Sequence, residues 1–223
     1  MADINSLLRD MRKAGKVRDN KAKGNIGEDA VLHVVLELQN KIGGVVYHSL
    51  SYPYQKDAYG RTYTGNIMLE NGGYKEYTES KRGFMDEIDV LYVTSYRIFP
   101  IEVKSYHAKL EVFDHWVKKN GQLVDKSPLL QEEKHCRHLY HALYAVLPDG
   151  LPAYIIPLVC FVDRCTVEDT RSRSFQDYMP VCILNNLKRT IVELNTPLQY
   201  NLDVEQIQSK INTIKTSCEN IYK

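Results

Sequence analysis

The stretch Glu87-Ile88-Asp89-Val90-Leu91-Tyr92-Val93-Thr94-Ser95-Tyr96-Arg97-Ile98-Phe99-Pro100-Ile101-Glu102-Val103-Lys104 decides how this chain reads. It contains two β-rich runs, Glu87 to Thr94 and Arg97 to Lys104, with almost nothing between them, which is the pattern of a hairpin. A turn centred on Ser95-Tyr96 sets Thr94 opposite Arg97 and Val93 opposite Ile98. Counting back along both strands, Asp89 then faces Glu102. Directly opposed residues point to the same side of a sheet, with Cβ atoms roughly 4.5–5.5 Å apart. Side chains alternate with period two, so Lys104 shares that side with Glu102. Pro100 has no N–H to give to a ladder, and a bulge there would shift the register.

Opposed like charges destabilise a sheet, so a carboxylate pair asks for a compensating group. A divalent cation is one answer. Oxygen donors suit Mg²⁺, which takes one or two carboxylates and keeps several waters, and Mn²⁺ can substitute for it. Such an ion stabilises charge on a scissile phosphate and acidifies a bound water. Lys104 would orient that water, help deprotonate it or stabilise the developing charge. The same three residues also read as a solvated charge cluster on an open sheet face, and spacing alone leaves both readings standing.

Working outward, Ile26, Ala30, Val31, Val34, Val35 and Leu38 recur at helical spacing and predict a helix from about Gly27 to Lys41, stopped by Gly43-Gly44. Val45 to Leu50 reads as a strand. Residues 51–82, rich in Tyr, Gly and Asn, form either a hairpin turning at Asn71-Gly72-Gly73 or a loop. Beyond the hairpin, Trp116 and the polar Lys118 to Gln122 region fall in a connection. Ser127-Pro128 reads as an N-cap followed by proline at the first helical position, opening a helix to about Val146. Tyr154 to Val162 reads as a buried strand in which Pro157 marks an edge or irregularity. Val181 to Leu184 and an amphipathic helix from near Asp203 complete the chain.

Asp89 followed by Glu102-Val103-Lys104 resembles the D…(D/E)-x-K signature of the PD-(D/E)XK nuclease superfamily. The wider arrangement resembles its NERD (nuclease-related) domain. Gly24-Asn25-Ile26-Gly27-Glu28 opens a helix, Glu87-Ile88-Asp89 and Ile101-Glu102-Val103-Lys104 follow, then Trp116, then the helix start Pro128-Leu129-Leu130-Gln131. Ile88 stands where the signature has proline, and Ser127 where the NERD pattern often has Asn. The segment ahead of Asp89 is long.

The resemblance implies an α/β fold with a restriction-endonuclease-like core, a central mixed β-sheet flanked by helices. With the resemblance, the charges and the helical pattern, the chain is expected in three parts: a basic arm or helix over 1–23, the nuclease-like domain over 24–200 and a C-terminal helix packed on it over 201–223. The resemblance also implies that Asp89 and Glu102 bind the metal with the Val103 backbone carbonyl, that Lys104 serves the attacking water, and that Glu28 supplements the site. Asn25-x-x-Glu28 equally reads as a capping box. Gln131 is similar to the superfamily's helix glutamine near the active site, or is an ordinary solvated residue.

The remaining composition narrows the classes. With 223 residues, 43% hydrophobic and 26% charged, the chain is globular, and no apolar stretch is long enough to cross a bilayer. A net charge of +1 argues weakly against a protein that simply coats nucleic acid and does not exclude an enzyme with a local groove. Arg9, Arg12, Lys13, Lys16, Arg18, Lys21 and Lys23 make the N-terminal segment cationic. Five irregularly spaced cysteines argue against a disulfide framework and fit a reducing cytoplasm. His135, Cys136, His138 and His141 spread around one helix, which reads as a wet face beside the substrate groove rather than a zinc site. No phosphate-binding G-x-x-x-x-G-K-[ST] loop and no G-x-S-x-G elbow occur.

The expectation is a metal-dependent nuclease acting on DNA, away from membranes, with a homodimer compatible with that activity. The alternatives are a branched-DNA resolvase of the same superfamily and a non-catalytic nucleic-acid-binding or interaction module that keeps the fold.

Overall fold

The computed structural model describes residues 20–53, 64–68, 74–78 and 85–221. Helix α1 spans Asn20–Ile42. Its buried stripe, Ala30, Val31, Val34, Val35 and Leu38, keeps the spacing of three and four that lays one helix face on a sheet. Gly43 and Gly44 end it with φ of 77° and 101°. A Cβ on Gly44 would collide with the Val93 carbonyl oxygen, so the glycine permits both the turn and the close approach. The Tyr92 hydroxyl ties this cap to the sheet by donating to the Gly43 carbonyl at 2.7 Å.

The strands are β1 (Val45–Pro53), β2 (Thr64–Met68), β3 (Tyr74–Thr78), β4 (Met85–Val93), β5 (Ile98–Ser105), β6 (Lys109–Val112), β7 (Val117–Lys119), β8 (Gln122–Leu123), β9 (Leu158–Val162), β10 (Thr166–Asp169) and β11 (Val181–Ile183). The further helices are α2 (Pro128–Leu143), α3 (Arg173–Tyr178), α4 (Leu184–Leu194) and α5 (Val204–Ile221). The central sheet runs β1-β4-β5-β9-β11, antiparallel from β1 to β5 and parallel from β5 to β11. Helices α1 and α4 cover one face, while α2 and α5 cover the other. This is the expected α/β architecture, a mixed sheet between helices, compatible with a restriction-endonuclease-like core. A second sheet, β10-β6-β7-β8, packs with Leu129 against Val159 and Phe161 of β9.

Several expectations change in detail. The segment expected as a polar connection after β5 forms β6 to β8, and Trp116 sits in the β6–β7 turn, where Phe113 and Trp116 exchange backbone hydrogen bonds. Residues 64–68 and 74–78 pair as an antiparallel hairpin; the turn expected at 71–73 lies outside the described residues. Ser127 caps α2 as expected, its hydroxyl accepting from the Leu130 N–H, but the helix ends at Leu143 and a 3₁₀ turn covers 144–146. The strand expected from Tyr154 begins only at Leu158, because Pro152 opens a 3₁₀ turn and Pro157 interrupts pairing. Of the arm or helix expected over 1–23, only residues 20–23 are described, as the first turn of α1.

Candidate active site

The β4–β5 register is the one counted from the sequence: Val93 faces Ile98, Tyr92 faces Phe99, Leu91 faces Pro100 and Val90 faces Ile101. The turn closes through the Thr94 N–H donating to the Arg97 carbonyl at 2.9 Å, while the Thr94 hydroxyl oxygen accepts from the N–H groups of Tyr96 and Arg97. Antiparallel residues alternate between hydrogen-bonded and non-bonded pairs. From Thr94–Arg97, the bonded pairs fall at Tyr92–Phe99 and Val90–Ile101, so Pro100 takes a non-bonded position and no bulge forms. On its other side Pro100 faces Pro157, between the isolated Ile98–Ile155 bridge and the β5–β9 ladder that begins at Ile101–Leu158.

The next non-bonded pair in this count is Asp89–Glu102, and there the ladder stops. On β1, Ser49 (φ 48°) breaks the run between His48–Val90 and Leu50–Ile88, opposite Asp89. Asp89 therefore sits where β4 has lost its regular pairing on both sides. Its carboxylate takes the place of the missing strand, accepting the Val103 N–H at 2.7 Å. By the same alternation the Val103 carbonyl faces that gap.

Glu102 is fully buried. Its Oε1 is ion-paired with the Lys104 ammonium, and its Oε2 lies 3.4 Å from His135 Nδ1. Burial first, then the nearby Asp89 charge, pushes the Glu102 carboxyl up to about 8 against the pull of Lys104 and His135. Burial also raises Asp89, opposed by the Val103 N–H and Lys104. Burial would lower Lys104, but the charge of Glu102 outweighs it and the ammonium is held above its ordinary value. The donors present fit a hard divalent cation: Asp89 and Glu102 stand close enough at the end of the ladder for each charge to be felt by the other, and neither oxygen of the buried Glu102 has a hydrogen-bond partner.

Glu28 approaches from α1. The helix begins at Asn20, so Asn25 and Glu28 stand inside it and the capping-box reading falls. The Glu28 carboxylate lies 3.5 Å from His48 Nε2, and burial followed by the Asp89 charge raises its pKa. Gly27 makes this approach possible. A Cβ there would come 2.7 Å from Val162 Cγ2, a buried methyl on β9. Gln131 is half-buried in the first turn of α2, one turn before His135.

The expected wet face of α2 is not found. Glu132, His135, Cys136 and His138 are all buried, whereas Arg137 and His141 are exposed. Leu129, Glu132, Cys136, Leu139 and Leu143 recur at spacings of three and four, so Glu132 occupies a core position of the helix and His135 flanks it. That stripe was available in the sequence, and a carboxylate inside it is the signal that sequence reading missed. Together Glu102, Glu132 and His135 form a buried donor cluster able to hold a metal ion.

Residues 23–162 match the family model of NERD, described as a nuclease-related domain. The chain belongs to the NERD family. NERD lies within the restriction-endonuclease-like superfamily, in keeping with the sheet described above. The match runs from α1 through β9 and so includes every residue of the site. No curated protein and no solved structure matches this NERD chain. Among the described residues no helix is long and apolar enough to cross a membrane.

Proposed function

We propose that this NERD protein is a metal-dependent nuclease that hydrolyses phosphodiester bonds of DNA in the cytoplasm, using Mg²⁺ or, in its place, Mn²⁺. The observation that carries the reading is the meeting of Asp89 and Glu102 where β4 leaves β5, with Lys104 against Glu102. Asp89, Glu102 and the Val103 carbonyl would hold the ion, with Glu28 supplementing them from α1. When bound, the ion supplies charge neutralisation at the phosphate and a more acidic water. Lys104 orients the attacking water and stabilises negative charge as it develops. Gln131, at the start of α2, contributes to positioning on the same side of the sheet as Lys104.

The test is cleavage of supercoiled, linear and single-stranded DNA with Mg²⁺ or Mn²⁺, comparing wild type with Asp89→Ala, Glu102→Ala and Lys104→Ala. We expect losses of at least about 10²-fold in each variant, the scale on which removal of an electrostatic stabiliser is felt. Cleavage that survives in all three variants would sink the assignment.

A further inference from the structure

Glu102 has two differently occupied oxygens. Oε1 meets Lys104, whereas Oε2 lies 3.4 Å from His135 Nδ1, which in turn is 3.5 Å from Glu132 Oε2. One donor atom from each of the three residues lies within 4.8 Å of the others. Glu102 and Glu132 are 0% exposed and His135 is 4% exposed. Neither Glu102 Oε2 nor Glu132 Oε2 accepts a hydrogen bond. The other Glu132 oxygen accepts the Cys136 thiol at 3.4 Å, which fixes the carboxylate on the helix. Two carboxylates buried this deeply require compensation. Metal–ligand bonds of about 2.0–2.2 Å at tetrahedral angles separate neighbouring donors by roughly 3.4 Å, so these contacts have the spacing of a coordination shell.

We infer that Glu102, Glu132 and His135 form a second divalent-cation site on the α2 side of Glu102, and that its imidazole nitrogen favours Mn²⁺ or Zn²⁺ over Mg²⁺. It goes beyond the nuclease site proposed above and shares only Glu102 with it. Its burial closes it to substrate, so the ion neutralises charge and holds Glu102 in place rather than activating water. The arrangement that competes with it is a proton shared among the same three side chains.

The test is Mn²⁺ binding to the chelator-stripped full chain, read as stoichiometry by calorimetry and as ligand type by pulsed electron paramagnetic resonance. Wild type, Asp89→Asn, Glu132→Gln and His135→Gln are compared, with near-ultraviolet circular dichroism as the folding control. We expect a ¹⁴N coupling to Mn²⁺ in wild type and Asp89→Asn that disappears in His135→Gln, and one fewer ion bound in Glu132→Gln and His135→Gln. Wild-type protein whose bound Mn²⁺ shows no ¹⁴N coupling, or which binds none, overturns the inference without recourse to any variant. Unchanged stoichiometry in folded Glu132→Gln and His135→Gln overturns it as well. Should Asp89→Asn bind as many ions as wild type while Glu132→Gln loses one, the Asp89 reading fails and this one stands.

Discussion

Even with Lys104 paired to one of its oxygens, Glu102 is in conflict with its surroundings when no metal ion is present. It is fully buried beside a second carboxylate, and its carboxyl is pushed up to about 8, from an ordinary value of 4.5. A group with a raised folded-state pKa contributes stability that is complete below its unfolded value and is lost as pH rises through the folded one. In chelator-treated protein, Glu102 therefore favours folding at pH 5 and loses that contribution towards pH 9. Glu102→Gln imitates the protonated form, so its melting temperature should gain on wild type as pH rises. The gain should be on the order of a few kcal/mol across that window, at about 2–4 °C per kcal/mol. Saturating Mn²⁺ should reverse the order by stabilising wild type alone. Melting scans in EDTA at pH 6 and 9 decide the matter, and a difference between the two proteins that does not widen with pH would refute the account.

At the scale of elements, α1 brings Glu28 to the sheet because Gly27 presents no side chain to Val162. Gly27→Ala asks a buried methyl on β9 to move, and an overpacked core typically loses about 1–3 kcal/mol. Alanine is the better helix former by roughly 1 kcal/mol, which offsets part of the loss. The net expectation from urea denaturation is destabilisation of about 1 kcal/mol, with cleavage reduced further than stability explains because Glu28 is displaced. A variant as stable and as active as wild type would show that the close approach is dispensable.

The same elements show what a single sequence discloses. The β4–β5 register was legible because a two-residue turn and period-two alternation leave no freedom, and Pro100 did not disturb it because it fell on a non-bonded position. The start of α1 was less legible, since Asn25 and Glu28 carry a capping pattern inside a longer helix. The small second sheet escaped because β7 and β8 are short and polar. The partners of Glu102 escaped because His135 read as part of a wet face and Glu132 was not singled out, until the spacing of Leu129, Cys136, Leu139 and Leu143 is imposed on the helix.

For the molecule as a whole, the two sheets must hold their relation if β9 is to present one face to α1 and the other to the second sheet. Arg171 connects them. Its Nε and one terminal nitrogen fork onto the Asp169 carboxylate at the end of β10, at 2.8 and 2.7 Å. Its other terminal nitrogen donates to the Met179 carbonyl just ahead of β11, at 2.7 Å. Burial tends to raise the Asp169 carboxyl, but the hydrogen bonds and charge of Arg171 prevail and hold it below its ordinary value. Removing one partner of a buried pair strands the other, typically at about 3–5 kcal/mol. With Asp169 a quarter exposed, about 2–4 kcal/mol is the expectation for Arg171→Ala at pH 7. A lowered carboxyl contributes stability above its unfolded pKa and loses it as pH falls through the folded value. The gap between wild type and Arg171→Ala should therefore narrow below about pH 4, without closing, because the Met179 contact does not depend on Asp169. Arg171→Lys keeps the charge but not the planar fork, and should fall between the two. Denaturant unfolding at pH 7 and pH 3 measures all three proteins. A gap that is absent at pH 7, or the same at both pH values, would mean that the fork does not hold the sheets together.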